Sequence, residues 1–198
     1  KKKKTGFIKV SMNLSRNTSM FYGTGNTVNQ NYKLSNLKLR YMTQPDDGSD
    51  QPNVLKTIHT LKNSLNSSHA NVASKVPAVC TGVSISFQKS DFEGGLVENA
   101  YELMRPPNIS QVQYLFNDTN KYITYSITNE QELLHHGLES MKLANVSGVS
   151  LAKLKANDSF VIGTRFNGAI DLSVNSFNLD ITSGVGPAFP YTVYQIFH

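Results

Sequence analysis

The residues best suited to chemistry in this chain are two adjacent histidines, His135 and His136, flanked by Glu132 and Glu139. On a helix, His135 and Glu139 are i, i+4 neighbours, and so are Glu132 and His136. Each pair can meet on one surface. A metal centre would need a further ligand from elsewhere in the chain, because neither Cys80 nor any histidine shows zinc-ligand spacing. The plainer reading is a polar helix face turned to solvent or to a neighbouring subunit. His59 and His69 stand alone, and His198 is the last residue. Cys80, the only cysteine, lies in Val79-Cys80-Thr81 and reads as a buried structural thiol. With one cysteine, no internal disulfide can form.

Other polar clusters carry less. Asp46, Asp47 and Asp50 fall in a Pro-Asp-Asp-Gly turn, where aspartate serves the backbone, and their spacing is not that of an EF-hand loop. Gly23-Thr24-Gly25 lacks the third glycine and following helix of a phosphate loop. No G-x-S-x-G motif occurs. Asn13, Asn17, Asn66, Asn108, Asn117, Asn145 and Asn157 each begin an Asn-X-Ser/Thr triplet, but a chain this rich in Asn, Ser and Thr produces such triplets by chance. There are nine Tyr, ten Phe and no Trp, and most of the aromatics fall on the apolar phase of alternating segments, as core residues would. The expectation is a non-enzymatic protein with no cofactor and no metal.

Positive charge is the one strong asymmetry. The 198 residues carry a net charge of +5, and Lys1, Lys2, Lys3, Lys4 and Lys9 supply five positive charges before residue 10 with no acid among them. Such a tail binds polyanions non-specifically or is a solvated end. If it binds, the candidate nucleic-acid-binding residues are those five lysines. No stretch reaches the ~18 consecutive apolar residues of a membrane helix, so no membrane span is expected.

The elements that would position these residues are mostly strands. Hydrophobic residues make up 39% and charged residues 17%; Ser, Thr and Asn supply the polarity, which suits turns and half-buried strands better than helices. Residues 160–197 set the pattern: Ile170, Leu172 and Val174, then Phe177, Leu179 and Ile181, alternate with polar residues, and Asn167-Gly168 and Ser183-Gly184 mark turns. Alternation predicts further strands over 6–14, 32–42, 83–88, 109–116 and 122–127, the last two joined as a hairpin through Asn117-Asp118-Thr119-Asn120. Loops are expected over 15–30, with a short strand at 20–22, and over 63–74. Val54, Leu55, Ile58, Leu61 and Leu65 follow helical spacing and predict a helix over 53–65. Leu133, Leu134, Leu138 and Met141 predict a second, capped by Thr128 with Gln131 or by Asn129 with Glu132. A further short helical turn is expected over 149–155. About eight strands with two short inserted helices read as an all-β antiparallel sandwich of the jelly-roll kind. The expected organisation is a basic tail over 1–5 and a jelly-roll domain over 6–198, with 77–198 as the main roll and 6–76 either its first strands or the end of a preceding roll.

From about Val76 to His198 the pattern resembles a viral jelly-roll capsid protein. It is most similar to the double-jelly-roll major capsid proteins of tailless icosahedral viruses. The resemblance rests on the strand Ile109-Ser110-Gln111-Val112-Gln113-Tyr114-Leu115-Phe116-Asn117-Asp118, on the following acidic amphipathic helix with Glu130, Glu132, Leu133, Leu134 and Leu138, and on the last strand, Tyr191-Thr192-Val193-Tyr194-Gln195-Ile196-Phe197. It implies a structural subunit of the virion that assembles with copies of itself and other capsid proteins into capsomers and an icosahedral shell. It also implies that a basic arm such as Lys1 to Lys4 faces the packaged genome. Two full rolls need more residues than this chain has, so a single-jelly-roll coat or vertex protein is the variant. The alternative is a carbohydrate- or receptor-binding sandwich, with the loops at 15–30 and 46–51 touching ligand.

Overall fold

A computed structural model of the chain describes residues 10–14, 23, 31–40, 57–93, 104–141 and 160–198. Its described strands, in chain order, are β1 (His59–Leu65), β2 (His69–Ser74), β3 (Val79–Lys89), β4 (Gln111–Phe116), β5 (Asn120–Lys121), β6 (Val161–Asp171), β7 (Phe177–Thr182) and β8 (Tyr191–Phe197). Among the described residues one α-helix, α1 (Glu130–Ser140), lies between β5 and β6, and a short 3-10 turn (Ser90–Phe92) follows β3. The strands form two four-stranded antiparallel sheets, ordered β1-β8-β3-β6 and β2-β7-β4-β5. The all-β sandwich is therefore present. Its pairing is nested: β1 lies against β8, β2 against β7, β3 against β6 and β4 against β5.

The core is the apolar phase of these strands. Val83, Ile85 and Phe87 of β3, Val112 and Tyr114 of β4, Phe177, Leu179 and Ile181 of β7, and Val193 and Phe197 of β8 are all fully buried. Aromatic rings join the two layers. Phe177 of one sheet meets Phe197 of the other with centroids 5.9 Å apart at 82°, and Phe116 meets Phe166 at 5.3 Å and 70°. Edge-to-face contacts of this kind favour the rings beyond their area burial.

α1 covers the outer face of the first sheet, packing on β6 and touching β3. Asn129 caps it, its Oδ1 accepting from Gln131 N at 2.9 Å, while Leu133 and Leu134 are buried. The fit is close at Gly137, where a Cβ would stand 2.5 Å from Val161 O. β3 is buried on both faces: Ser84, Ser86 and Gln88 are nearly as inaccessible as the apolar residues between them, and Ser84 lies 3.1 Å from Ser140 of α1.

Several expectations are overturned. Where a helix was expected over 53–65, His59–Leu65 is strand β1, paired with β8 from His59↔Phe197 to Leu65↔Tyr191. The i, i+4 spacing of Leu61 and Leu65 also fits period two, and Ile58, which made the spacing helical, is 66% exposed. The expected loop over 63–74 holds β2, whose Val72 faces the core while Thr182 to Phe177 of β7 supply its ladder. Residues 10–14 and 31–40 form no strand despite their alternation. Residues 6–9, 20–22, 41–42, 53–56 and 149–155 lie outside the described residues.

The hairpin after β4 is shorter than expected, because only β5 pairs at its start. Side chains take over from the ladder: Gln113 Nε2 donates to Ile123 O at 2.7 Å, and Ser126 Oγ donates to Gln113 Oε1 at 2.9 Å. The strands meet again only at the Val112↔Ile127 bridge. Asn167-Gly168 does not end a strand. β6 runs through it with a register shift, Cys80 facing Ile170 but Gly82 facing Arg165, so the extra residues bulge outward. Val174 sits in the β6–β7 turn and is exposed.

Candidate functional site

His135 and His136 do share the surface of α1 with a glutamate. Glu139 lies 3.5 Å from His135 Nε2 and 3.6 Å from His136 Nδ1. Glu132 instead accepts from the Tyr125 hydroxyl. Among the described residues no group of three or more His, Cys, Asp or Glu side chains is placed to hold a metal ion. The histidines therefore make a carboxylate-centred polar face.

One of them lines a cleft. Where α1 leans on β6, a cavity of about 310 Å³ opens, bounded by Tyr122, Ile123 and Thr124 from the β5–α1 connection, His136 and Glu139 from α1, and Thr164, Arg165 and Asn167 from β6. Tyr122 fastens its floor: the hydroxyl donates to Arg165 O at 2.8 Å and accepts from Asn167 N at 2.7 Å. Burial raises the pKa of this phenol above its ordinary value, so it stays a neutral donor. The two backbone contacts hold the outward bulge of β6. Sequence reading found His136 but not the cleft. Its residues come from three separate segments, and Asn167-Gly168, which form the bulge next to Arg165, have the composition of a turn.

A serine–histidine contact also spans the chain. Ser84 Oγ lies 2.7 Å from His198 Nε2 and 3.1 Å from Ser140 Oγ, and Ser140 donates to Gly137 O. Ser84 is only 3% exposed, so no substrate reaches its hydroxyl. The group ties the end of β8 to α1. Cys80 is buried as expected, and burial, with a smaller contribution from Asp171, pushes its thiol up. His69 pairs with Asp180 at 3.1 Å, and His59 lies 3.4 Å from the Thr57 hydroxyl.

The least satisfied surface is apolar. Val10, Met12 and Leu14 are between 57% and 65% exposed, and Leu34, Leu37 and Leu39 between 45% and 69%. These segments alternate like strands yet cover no core. Their alternation predicts strands, but alternation alone does not show what the apolar face will meet. Lys1, Lys2, Lys3, Lys4 and Lys9, the aspartates at 46, 47 and 50, and the loops at 15–30 and 46–51, apart from Gly23, lie outside the described residues. No helix among the described residues is long and apolar enough to cross a membrane. No protein-family model matches the chain, and no curated protein matches it in sequence.

Proposed function

We propose that this chain is a structural subunit of a viral capsid, assembling with copies of itself and with other capsid proteins into a shell around the genome. The observation that carries this reading is the nested strand order, β1-β8-β3-β6 over β2-β7-β4-β5. It supports reading the sandwich as a jelly roll, an architecture used by capsid and lectin domains alike. Because β1 and β2 pair with β8 and β7, residues 59–74 favour the single-roll variant. Fold alone does not give function. Assembly is favoured over the lectin alternative by the uncovered apolar side chains on two segments, 10–14 and 31–40, which a neighbouring subunit would bury.

In this reading the sandwich is the rigid block, the amino-terminal segment makes subunit contacts, and Lys1, Lys2, Lys3, Lys4 and Lys9 meet packaged nucleic acid. The test is sedimentation velocity with negative-stain imaging of the purified chain across a range of salt. Closed oligomers or shells are expected. A monomer under every condition overturns the reading.

A further inference from the structure

We infer that the cleft between α1 and β6 is a binding site for a small acidic sugar, a monosaccharide bearing one carboxylate, independent of any assembly role. The argument begins with charge. Arg165 is exposed, and among the described residues its guanidinium has no ion-pair or hydrogen-bond partner, although the Glu139 carboxylate lines the same cleft. Glu139 is instead engaged by His135 and His136. The strand side of the cleft thus offers an unpaired, planar cation with several parallel donors, which matches a carboxylate better than a point charge does.

The remaining lining suits hydroxyl groups. Glu139 accepts, the Thr124 hydroxyl donates or accepts, and the Asn167 carboxamide does both. Tyr122 contributes an aromatic wall whose position is locked by its two backbone hydrogen bonds and by edge contacts with Phe116 and Phe166 at 5.7 Å each. A fixed ring beside convergent polar groups is a preformed site, so little ordering opposes binding. The 310 Å³ volume is large enough for one sugar ring. The groups that would face such a ligand come from three segments, and the bulge of β6 brings Asn167 to the rim beside Arg165, which pairs with Gly82 at the edge of the bulge.

The experiment is calorimetric titration of the full chain with D-glucuronate, D-glucose and inorganic phosphate, repeated with Arg165→Gln. Saturable glucuronate binding is expected, weakened about tenfold or more by Arg165→Gln, as befits loss of a charge-assisted pair. Glucose is expected to bind at least about tenfold more weakly than glucuronate on the same grounds. Arg165→Gln removes only an exposed side chain, so an unchanged melting temperature separates lost binding from lost fold. Absence of saturable glucuronate binding overturns the inference. So does phosphate binding as tightly as glucuronate, which would make the cleft a plain anion site, or glucuronate binding that Arg165→Gln leaves intact.

Discussion

Gly163 and Tyr114 lock the two sheets together at a single point. Gly163 has φ +146°, a conformation that favours glycine, and a Cβ there would stand 2.2 Å from Val83 O. Its N–H donates to the fully buried Tyr114 hydroxyl at 3.0 Å. Gly163→Ala is therefore expected to cost about 3 kcal/mol or more, from backbone strain and steric overlap together. Tyr114→Phe keeps the ring but orphans the buried N–H, and should cost about 1–3 kcal/mol in chemical denaturation. Equal stability in both variants would mean that the contact contributes nothing. Asp171 acts at the other end of β6. Its Oδ1 accepts from Ser173 Oγ at 2.6 Å and Ser173 N at 2.8 Å, and these bonds, the hydroxyl's first, hold its carboxyl below the usual aspartate range. A folded value below the unfolded one means that the folded state holds its proton less tightly. The stabilisation is thus present above the ordinary carboxylate pKa and lost as pH falls through the folded value. The melting-temperature gap between the native chain and Asp171→Asn should therefore be widest near neutrality and shrink between about pH 5 and about pH 2. A gap independent of pH would show that the charge of the carboxylate is irrelevant.

At the scale of elements, α1 depends on its cap and on its one close approach. Asn129→Ala removes the acceptor for Gln131 N and should destabilise the chain by about 1 kcal/mol, read from the denaturation midpoint. Gly137→Ala should cost more than the cap does, despite alanine's better helix propensity, since the new methyl meets the backbone of β6. If Gly137→Ala instead stabilises, the helix is free to lift from the sheet. The cap was legible in the sequence because it depends on neighbours in the chain, with Asn129 directly before an amphipathic run. β1 was not. Leu61 and Leu65 satisfy either period, and the choice is made by β8, whose Tyr191 to Phe197 lie more than a hundred residues away. The buried serines of β3 were hidden too. Ser84 and Ser86 alternate with apolar residues as a solvent face would, yet both are buried, and Ser84 meets Ser140 of α1.

At the scale of the molecule, the alternation of β3, β4, β7 and β8 was enough to give a two-layer sandwich, because period two in four long segments needs two facing sheets. The cleft was illegible for the opposite reason: it depends on a bulge in β6 and a side-chain-bonded bend after β5, and neither leaves a periodic trace. The segments at 10–14 and 31–40 show where local pattern and global structure part. Leu37 and Leu39 stand 68% and 69% exposed and Leu14 57%, a cost in hydration that folding of one chain leaves in place. If a neighbouring subunit removes it, then Leu37→Ser with Leu39→Ser should leave the melting temperature of the sandwich within about 1–2 °C, since exposed positions seldom change stability by more than about 0.5 kcal/mol. The same double variant should shift the sedimentation profile from assembled to small species. Phe177→Ala should do the reverse, costing about 3–5 kcal/mol of fold stability by opening a cavity between the sheets. Assembly that survives the leucine substitutions unchanged would separate the amino-terminal segment from the subunit contacts. Loss of stability in that variant would instead show that these leucines serve the sandwich itself.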